Sequence, residues 1–440
     1  MVPMDLLLDQ NPWWRDGAIR RAEGYPVRRD LQPEILKQVQ REDRRALVLM
    51  GPRQVGKTVL LLQLADDLLD AGWPPQNLTY FDFSDERLRG EEAVTAREIT
   101  GVRPVGFDPS HPQAFLLDEI GGSPNWDRWL KQAVDARIGR IVATDSAASL
   151  LREGTRESGQ GRWDELFIEG LSFREFARLH VGPGSPDEAL APRIDILYRR
   201  YLSLGGFPEY ALSLDFPEVR RRLRNDVAER AIERDLGRLG LDVQRVRDLF
   251  VYIVQESGKE FNSEARANDL QADPRSVRDW VLRLRDTLLI SVLERFVAHP
   301  AAGLRAKPRL FAADPGLVLA FARLSSEDHE ISAAFFEAAV FRHLREASRD
   351  LDGQIGYFRH KDDLEVDFVF RAPGGPLVGI EVTSSERVRP DKVSRLLKAG
   401  KILESDRLLL IYGGLAENVM EGAHAIPLQQ FLLDPAAYLR

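Results

Sequence analysis

The chain has no cysteine among its 440 residues. Disulfide bonds, thiolate metal sites and cysteine nucleophiles are therefore excluded, and the absence suits a reducing cytoplasm. No uninterrupted apolar run approaches the roughly 20 residues needed to span a bilayer. The opening residues, Met1-Val2-Pro3-Met4-Asp5, carry neither the basic region nor the apolar stretch of a signal peptide. Internal repeats and low-complexity tracts are also missing. Together these absences predict a cytoplasmic protein without a membrane partner.

What is present is the composition of a soluble globular protein, 44% hydrophobic and 30% charged. The length fits two to four domains. A formal net charge of −8 argues against nucleic acid coating the whole surface, although a local basic patch remains open. The densest basic run is Arg220-Arg221-Arg222-Leu223-Arg224. It falls in a helical segment and reads first as a solvated helix face.

Residues 1–30 form an irregular lead-in with Gln10-Asn11-Pro12-Trp13-Trp14, whose paired tryptophans are expected to dock on a neighbouring surface. Residues 31–180 alternate short apolar strands with helical patterns, the signature of a parallel α/β sheet. Strands are expected at 46–50, 78–83, 114–118, 139–144 and 166–169. A Pro/Gly-rich stretch at 181–186 opens a helical lid or linker region that extends to 245 and is broken by Gly205-Gly206-Phe207-Pro208. Residues 246–325 contain Asp273-Pro274-Arg275-Ser276-Val277-Arg278-Asp279-Trp280, an N-cap leading into an amphipathic helix. This fits the second half of a helix-turn-helix, with a wing beginning near 289–293. A lone amphipathic helix packed on the preceding domain is the alternative. Residues 326–440 return to mixed helix and strand.

Gly51-Pro52-Arg53-Gln54-Val55-Gly56-Lys57-Thr58 matches G-x-x-x-x-G-K-[ST] in full. It follows an apolar strand and precedes an apolar helix, the context that a P-loop requires. These eight residues are expected to cradle ATP. The glycines let backbone N–H groups approach phosphate, Lys57 pairs the β- and γ-phosphates, and Thr58 ligates magnesium. Downstream, Ala114-Phe115-Leu116-Leu117-Asp118-Glu119 reads as a strand that delivers Asp118 to the magnesium shell and Glu119 to the attacking water. Capping of the next helix is the competing role for these two carboxylates. Thr144-Asp145-Ser146 ends a later strand, where a polar side chain either senses the γ-phosphate or makes a turn. Arg162 is either a solvated loop arginine or a catalytic arginine reaching a γ-phosphate in its own or a neighbouring subunit, which would imply a homo-oligomer.

With these residues in hand, the chain resembles prokaryotic AAA-type ATPases that carry a C-terminal domain of unknown function. The resemblance rests on the Gln10–Trp14 segment, the P-loop and Leu117-Asp118-Glu119. It continues through Leu171-Ser172-Phe173-Arg174-Glu175-Phe176, Gly205-Gly206-Phe207-Pro208-Glu209, Glu365-Val366-Asp367-Phe368 and Glu381-Val382. With the readings above, the expected fold is α/β, an AAA/ASCE-type P-loop sheet followed by helical and winged-helix-like regions. Such proteins have a Gly-Ser-Ser-like turn after the fourth strand, from which Thr144-Asp145-Ser146 departs. They also have a Gly-Arg pair before Leu-Ser-Phe, which Gly161-Arg162 matches.

The tail looks similar to the restriction-endonuclease-like fold, whose site is an Asp on one strand and Glu-x-Lys on the next. A hairpin would bring Asp367 and Glu381 together, with Glu337 on a preceding helix as a third carboxylate. The lysine position is Thr383, which cannot supply the cation such sites use. Arg359 and Lys361 stand nearby as substitutes, although their spacing does not assign either one. The site is expected to be degenerate. Lys392, Arg395, Lys398 and Lys401 read as a basic stripe on the following helix, suited either to a phosphate backbone or to solubility.

The leading functional expectation is an ATP-driven machine or switch acting on DNA. The alternative is a regulatory ATPase with protein partners, favoured by a pI near 5.6 and by Thr383. An ATP-licensed nuclease ranks third.

Overall fold

The computed structural model describes residues 4–25, 27–41, 45–88, 93–145, 161–182, 193–237, 240–297, 306–322, 329–360 and 364–440. Of the residues singled out above, Ser146, Lys361 and 183–186 lie outside this set. The chain divides into two compact units, residues 1–169 and 170–440.

The first unit begins with α1 (Met4–Gln10) and α2 (Gln32–Gln40). It continues through β1 (Ala46–Met50), α3 (Lys57–Asp70), β2 (Leu78–Asp82), α4 (Ala96–Gly101), β3 (Ala114–Asp118), α5 (Trp126–Asp135), β4 (Arg140–Asp145) and β5 (Trp163–Phe167). The five strands make a wholly parallel sheet in the order β2-β3-β4-β1-β5. Every residue of β1 and β3 is buried, which is why both read as unbroken apolar runs instead of alternating ones. In α3, Leu60, Leu64 and Leu68 recur every fourth residue and are all buried. Because β4 lies between β1 and β3, the P-loop strand and the Asp-Glu strand are not neighbours, yet both end on the same side of the sheet. That side is where ligands sit in open parallel sheets. β5 starts at Trp163, not 166, and stops at Phe167. As an edge strand it buries only Trp163 and Leu166, so the polar Asp164 and Glu165 hid its beginning.

The second unit opens with α6 (Phe173–Val181) and α7 (Ile194–Leu204). Phe173 and Phe176 pack on Tyr201 of α7, with ring centroids 5.6 and 5.3 Å away. The Gly-Gly break follows α7 because Gly205 has φ 76° and a Cβ there would lie 1.9 Å from Asp314 Oδ1. The Gly206 N–H donates to Asp314 Oδ2 at 2.8 Å. After helical segments at 208–211 and 216–236 come α8 (Val243–Gln255), α9 (Ser263–Asp269) and α10 (Pro274–Asp286), then an antiparallel hairpin of β6 (Ile290–Leu293) and β7 (Arg309–Ala312). Asp273 caps α10 by accepting from the N–H groups of Arg275 and Ser276, and Pro274 takes the first turn. Val277, Trp280, Val281 and Leu284 face inward, while Arg275, Arg278 and Leu282 are exposed.

After α11 (Pro315–Phe321) and α12 (His329–Leu351), β8 (Gln354–Arg359), β9 (Glu365–Arg371) and β10 (Leu377–Thr383) form an antiparallel meander. Helix α13 (Pro390–Leu403) crosses to β11 (Arg407–Tyr412), which is parallel to β10. With β12 (Asn418–Met420) and β13 (Ala423–Pro427) the sheet runs β12-β13-β11-β10-β9-β8. Val366 and Val369 of β9, Leu396 of α13 and Leu410 of β11 share its core. The architecture is α/β, with a parallel sheet, a helical region and a mixed C-terminal sheet. Among the described residues, no helix is long and apolar enough to cross a membrane.

Candidate nucleotide site and C-terminal carboxylate cluster

The loop between β1 and α3 is shaped for close backbone approach. A Cβ on Gly51 would lie 2.4 Å from the Ile168 carbonyl, and Gly56 caps α3 at φ 91°. Gln54 also has positive φ, 65°, so Pro52, Arg53, Gln54 and Val55 curl into one turn ahead of the helix. The first-turn N–H groups of α3 have no intrahelical partners, and the helix dipole adds positive potential there. Lys57 is buried and folds across this loop, donating to the Gly51 and Pro52 carbonyls at 2.9 and 3.0 Å. Thr58 is exposed one residue on.

Asp118 and Glu119 stand where β3 ends. Lys57 Nζ lies 3.9 Å from Glu119 Oε1, so the P-loop lysine and the candidate base converge. Glu119 adopts φ 48°, a left-handed conformation held by its N–H donating to Thr144 Oγ1 at 3.0 Å. Burial raises the Glu119 carboxyl above the ordinary range, while Lys57 and Arg53 pull it back and Asp118 adds to the rise. Asp118 is itself buried. Its Oδ2 accepts from the Tyr80 hydroxyl at 3.0 Å and its Oδ1 from Thr144 Oγ1. A hydroxyl at Thr58 and a carboxylate at Asp118 are hard oxygen donors of the type magnesium takes, so the residues fit Mg·ATP.

Two candidates fare differently. Thr144 turns to Asp118 and Glu119, while Asp145 is buried beside Gly121, where a Cβ would meet its carboxylate at 2.5 Å. Arg162 is not brought to the P-loop of its own chain. β5 runs parallel to β1 with Trp163 opposite Ala46, so Arg162 sits at the opposite end of the sheet, about 16 Å of strand rise away. Its Nε pairs with Asp135 Oδ1 at 3.1 Å. A catalytic role within its own chain is therefore corrected.

In the second unit Glu337, Asp367 and Glu381 do converge, on α12, β9 and β10. Arg309 of β7 reaches Asp367 Oδ1 at 3.4 Å and Glu365 Oε2 at 2.9 Å, and the Val382 N–H donates to Asp367 Oδ2 at 2.9 Å. Lys392 Nζ donates to Glu381 Oε1 at 2.9 Å, whereas Glu381 Oε2 is buried without a hydrogen-bond partner. Burial, reinforced by Asp367, pushes both Glu337 and Glu381 up to about 8. Beside them lies a cleft of about 370 Å³ lined by Ser257, Glu260, Arg309, Glu337, Arg359 and Asp367. Arg309 thus pairs with Asp367, and Lys392 with Glu381. Among the described residues, no group of three or more His, Cys, Asp or Glu is arranged to take a metal ion.

Sequence reasoning missed Tyr80 and Arg309, and it did not foresee the partners of Thr144 and Lys392. Period-two alternation along β2 puts Tyr80 on the same face as Asp82, the cross-strand partner of Asp118, and this was a usable signal. Lys392 was read with a stripe whose other members, Arg395, Lys398 and Lys401, are exposed. The Arg220–Arg224 run is largely partnered within its own unit. Arg221 and Arg222 pair with Glu218, and Arg224 donates to the Ala320 carbonyl.

Two curated relatives are similar. An uncharacterized protein of Haemophilus influenzae is 25% identical over 278 residues, covering 61% of this chain and 67% of its own. One of Methanocaldococcus jannaschii is 24% identical over 270 residues, and the match spans only 55% of either chain. A Walker-type ATPase of Pyrococcus abyssi aligns over 70% of this chain and 99% of its own, at 14% identity and a TM-score of 0.42. The profile of the AAA domain matches residues 43–177, and two domains of unknown function match 195–328 and 332–431. Residues 43–177 thus belong to the AAA domain family of P-loop ATPases, and the chain joins that domain to two further domains of unknown function.

Proposed function

We propose that the first unit binds Mg·ATP and hydrolyses it, and that the second unit turns the nucleotide state into contact with DNA. The observation that carries the first part is the meeting of Lys57 and Glu119 at 3.9 Å beside the buried Asp118. In the reaction, a water oxygen attacks the γ-phosphorus and the bond from phosphorus to the β–γ bridging oxygen breaks, giving ADP and phosphate. Glu119 takes the water proton; a carboxyl raised by burial is a stronger base than one in water. Lys57 leaves the loop carbonyls for the phosphate oxygens, and the α3 N-terminus stabilises their charge. Magnesium, when bound, supplies charge neutralisation on the phosphates through Thr58 and Asp118.

The DNA reading draws on α9, α10 and the β6–β7 hairpin, the element order of a winged helix, with Arg275 and Arg278 exposed on α10. The tail, similar to a restriction-endonuclease core in its helix–meander–helix–strand order, acts as a binding or assembly module without cleavage. A regulatory ATPase with a protein partner is the second reading, favoured by the exposed apolar residues Leu212, Leu214 and Phe216. ATP turnover measured with and without single-stranded, duplex and branched DNA separates the two. Stimulation by any of these supports the DNA reading, and indifference to all of them favours the protein partner.

A further inference from the structure

We propose that Tyr80 is a positioning residue for Asp118, and that the Gln10–Trp14 segment fixes Tyr80 in place. The proposal rests on the ATPase reading and goes beyond it.

Strand β2 is an edge of the parallel sheet, so its outer backbone groups lack a neighbouring strand. Side chains of the lead-in take them instead. Gln10 Oε1 accepts from the Asp82 N–H at 3.0 Å. Asn11 pairs with Tyr80 on both sides, its Oδ1 accepting from the Tyr80 N–H at 2.6 Å and its Nδ2 donating to the Tyr80 carbonyl at 2.9 Å. The indole N–H groups of Trp13 and Trp14 both donate to the Leu78 carbonyl, at 3.0 and 2.8 Å. Residues 78, 80 and 82 are thus all engaged by four side chains of one short segment, each of them buried. Asn11 imitates a strand residue with its carboxamide, and this fixes β2 most tightly at Tyr80.

Tyr80 then passes that constraint inward. Asp82 lies opposite Asp118 in the β2–β3 register, and Tyr80 is two residues earlier on the same face. Its ring therefore reaches diagonally to the Asp118 carboxylate. With the Tyr80 hydroxyl on Oδ2 and Thr144 on Oδ1, the carboxylate cannot rotate, and its remaining lone pairs keep one direction. The ring is buried and its hydroxyl donates to that carboxylate at 3.0 Å. Partners that orient a metal-binding carboxylate typically change metal affinity by about 10- to 100-fold when removed.

The test uses the full chain and a fluorescent ATP analogue. Its binding is titrated with Mg²⁺ and compared with binding in EDTA. For Tyr80→Phe, which keeps the ring packed, the half-saturating Mg²⁺ should rise about tenfold or more, with affinity in EDTA unchanged. Asn11→Asp removes the donor to the Tyr80 carbonyl and should shift the Mg²⁺ dependence in the same direction. Parental Mg²⁺ dependence in folded Tyr80→Phe overturns the role of Tyr80. A shift in Tyr80→Phe without one in Asn11→Asp overturns the role of the lead-in. If Tyr80→Phe does not fold, Asn11→Asp decides alone, and parental Mg²⁺ dependence there overturns the proposal. Failure of the parental chain to bind the analogue at all would instead refute the ATPase reading.

Discussion

Arg309 is a buried cation facing three acidic neighbours, and its removal gives a sharp stability prediction. Its guanidinium lies 3.4 Å from Asp367 Oδ1. At an effective dielectric near 20 that separation corresponds to an attraction of about 5 kcal/mol. Glu365 contributes less, because it is partly exposed and screened. Breaking one partner of a buried pair typically costs about 3–5 kcal/mol, since the other charge remains in a dry site. Arg309→Met should therefore destabilise the second unit by about 3–5 kcal/mol at pH 8. The cost should shrink as pH falls, by up to about 1.4 kcal/mol per pH unit for each proton the orphaned carboxylates take up. Arg309→Met with Asp367→Asn should recover at least half of the loss. Hydrogen–deuterium exchange of the β9 and β10 segments reads this unit separately from the ATPase sheet. A cost below about 1 kcal/mol at pH 8, or a double variant no better than the single, would refute the reasoning.

The remaining predictions concern pH, cleavage and assembly. Glu337 and Glu381 are raised to about 8 from an ordinary value near 4.5. Their contribution is therefore complete below about 4.5 and is lost as pH rises towards 8. Exchange protection of β9 and β10 should fall across that window, and Glu337→Gln should flatten the slope. Because Arg309 pairs with Asp367 and Lys392 with Glu381, the purified chain should cut neither plasmid nor linear DNA with Mg²⁺, with or without ATP. Cutting that disappears in both Asp367→Ala and Glu381→Ala would falsify this. Arg162→Ala should keep parental ATP turnover where the chain is monomeric. A loss that mixing with Glu119→Gln subunits repairs would assign Arg162 to a neighbouring subunit's site.

The candidate nucleotide site was legible because its signals are local. A P-loop is eight consecutive residues in a fixed context, and β3 announces itself as a buried run ending in two carboxylates. The strands 46–50 and 114–118 were read to the residue for the same reason. For Arg162 the reach to its own chain's P-loop was not legible, because only the pairing of Trp163 with Ala46 shows which end of the sheet it occupies. The tail was half legible. Asp367 and Glu381 follow from a hairpin pattern, but the cations beside them arrive from elsewhere, Arg309 from 58 residues upstream of Asp367 and Lys392 from the next helix. Gln10–Trp14 was expected to dock, and its use of side chains to complete a sheet edge has no period or motif that would reveal it. The Thr144-Asp145-Ser146 segment reads as a γ-phosphate sensor or a turn, and the donation of the Thr144 hydroxyl to Asp118 is not visible in that pattern.

The most direct test of the central claim compares ATP binding and phosphate release in the parental chain, Lys57→Ala and Glu119→Gln. The parental chain should bind ATP and release phosphate in the presence of Mg²⁺. Lys57→Ala should lose most of its ATP affinity, because it removes the cation that reaches the phosphates. Glu119→Gln should bind ATP as the parent does and release almost no phosphate, since it keeps the shape of the side chain and loses the base. Phosphate release by Glu119→Gln at the parental rate, or undiminished binding and turnover by Lys57→Ala, would contradict the account.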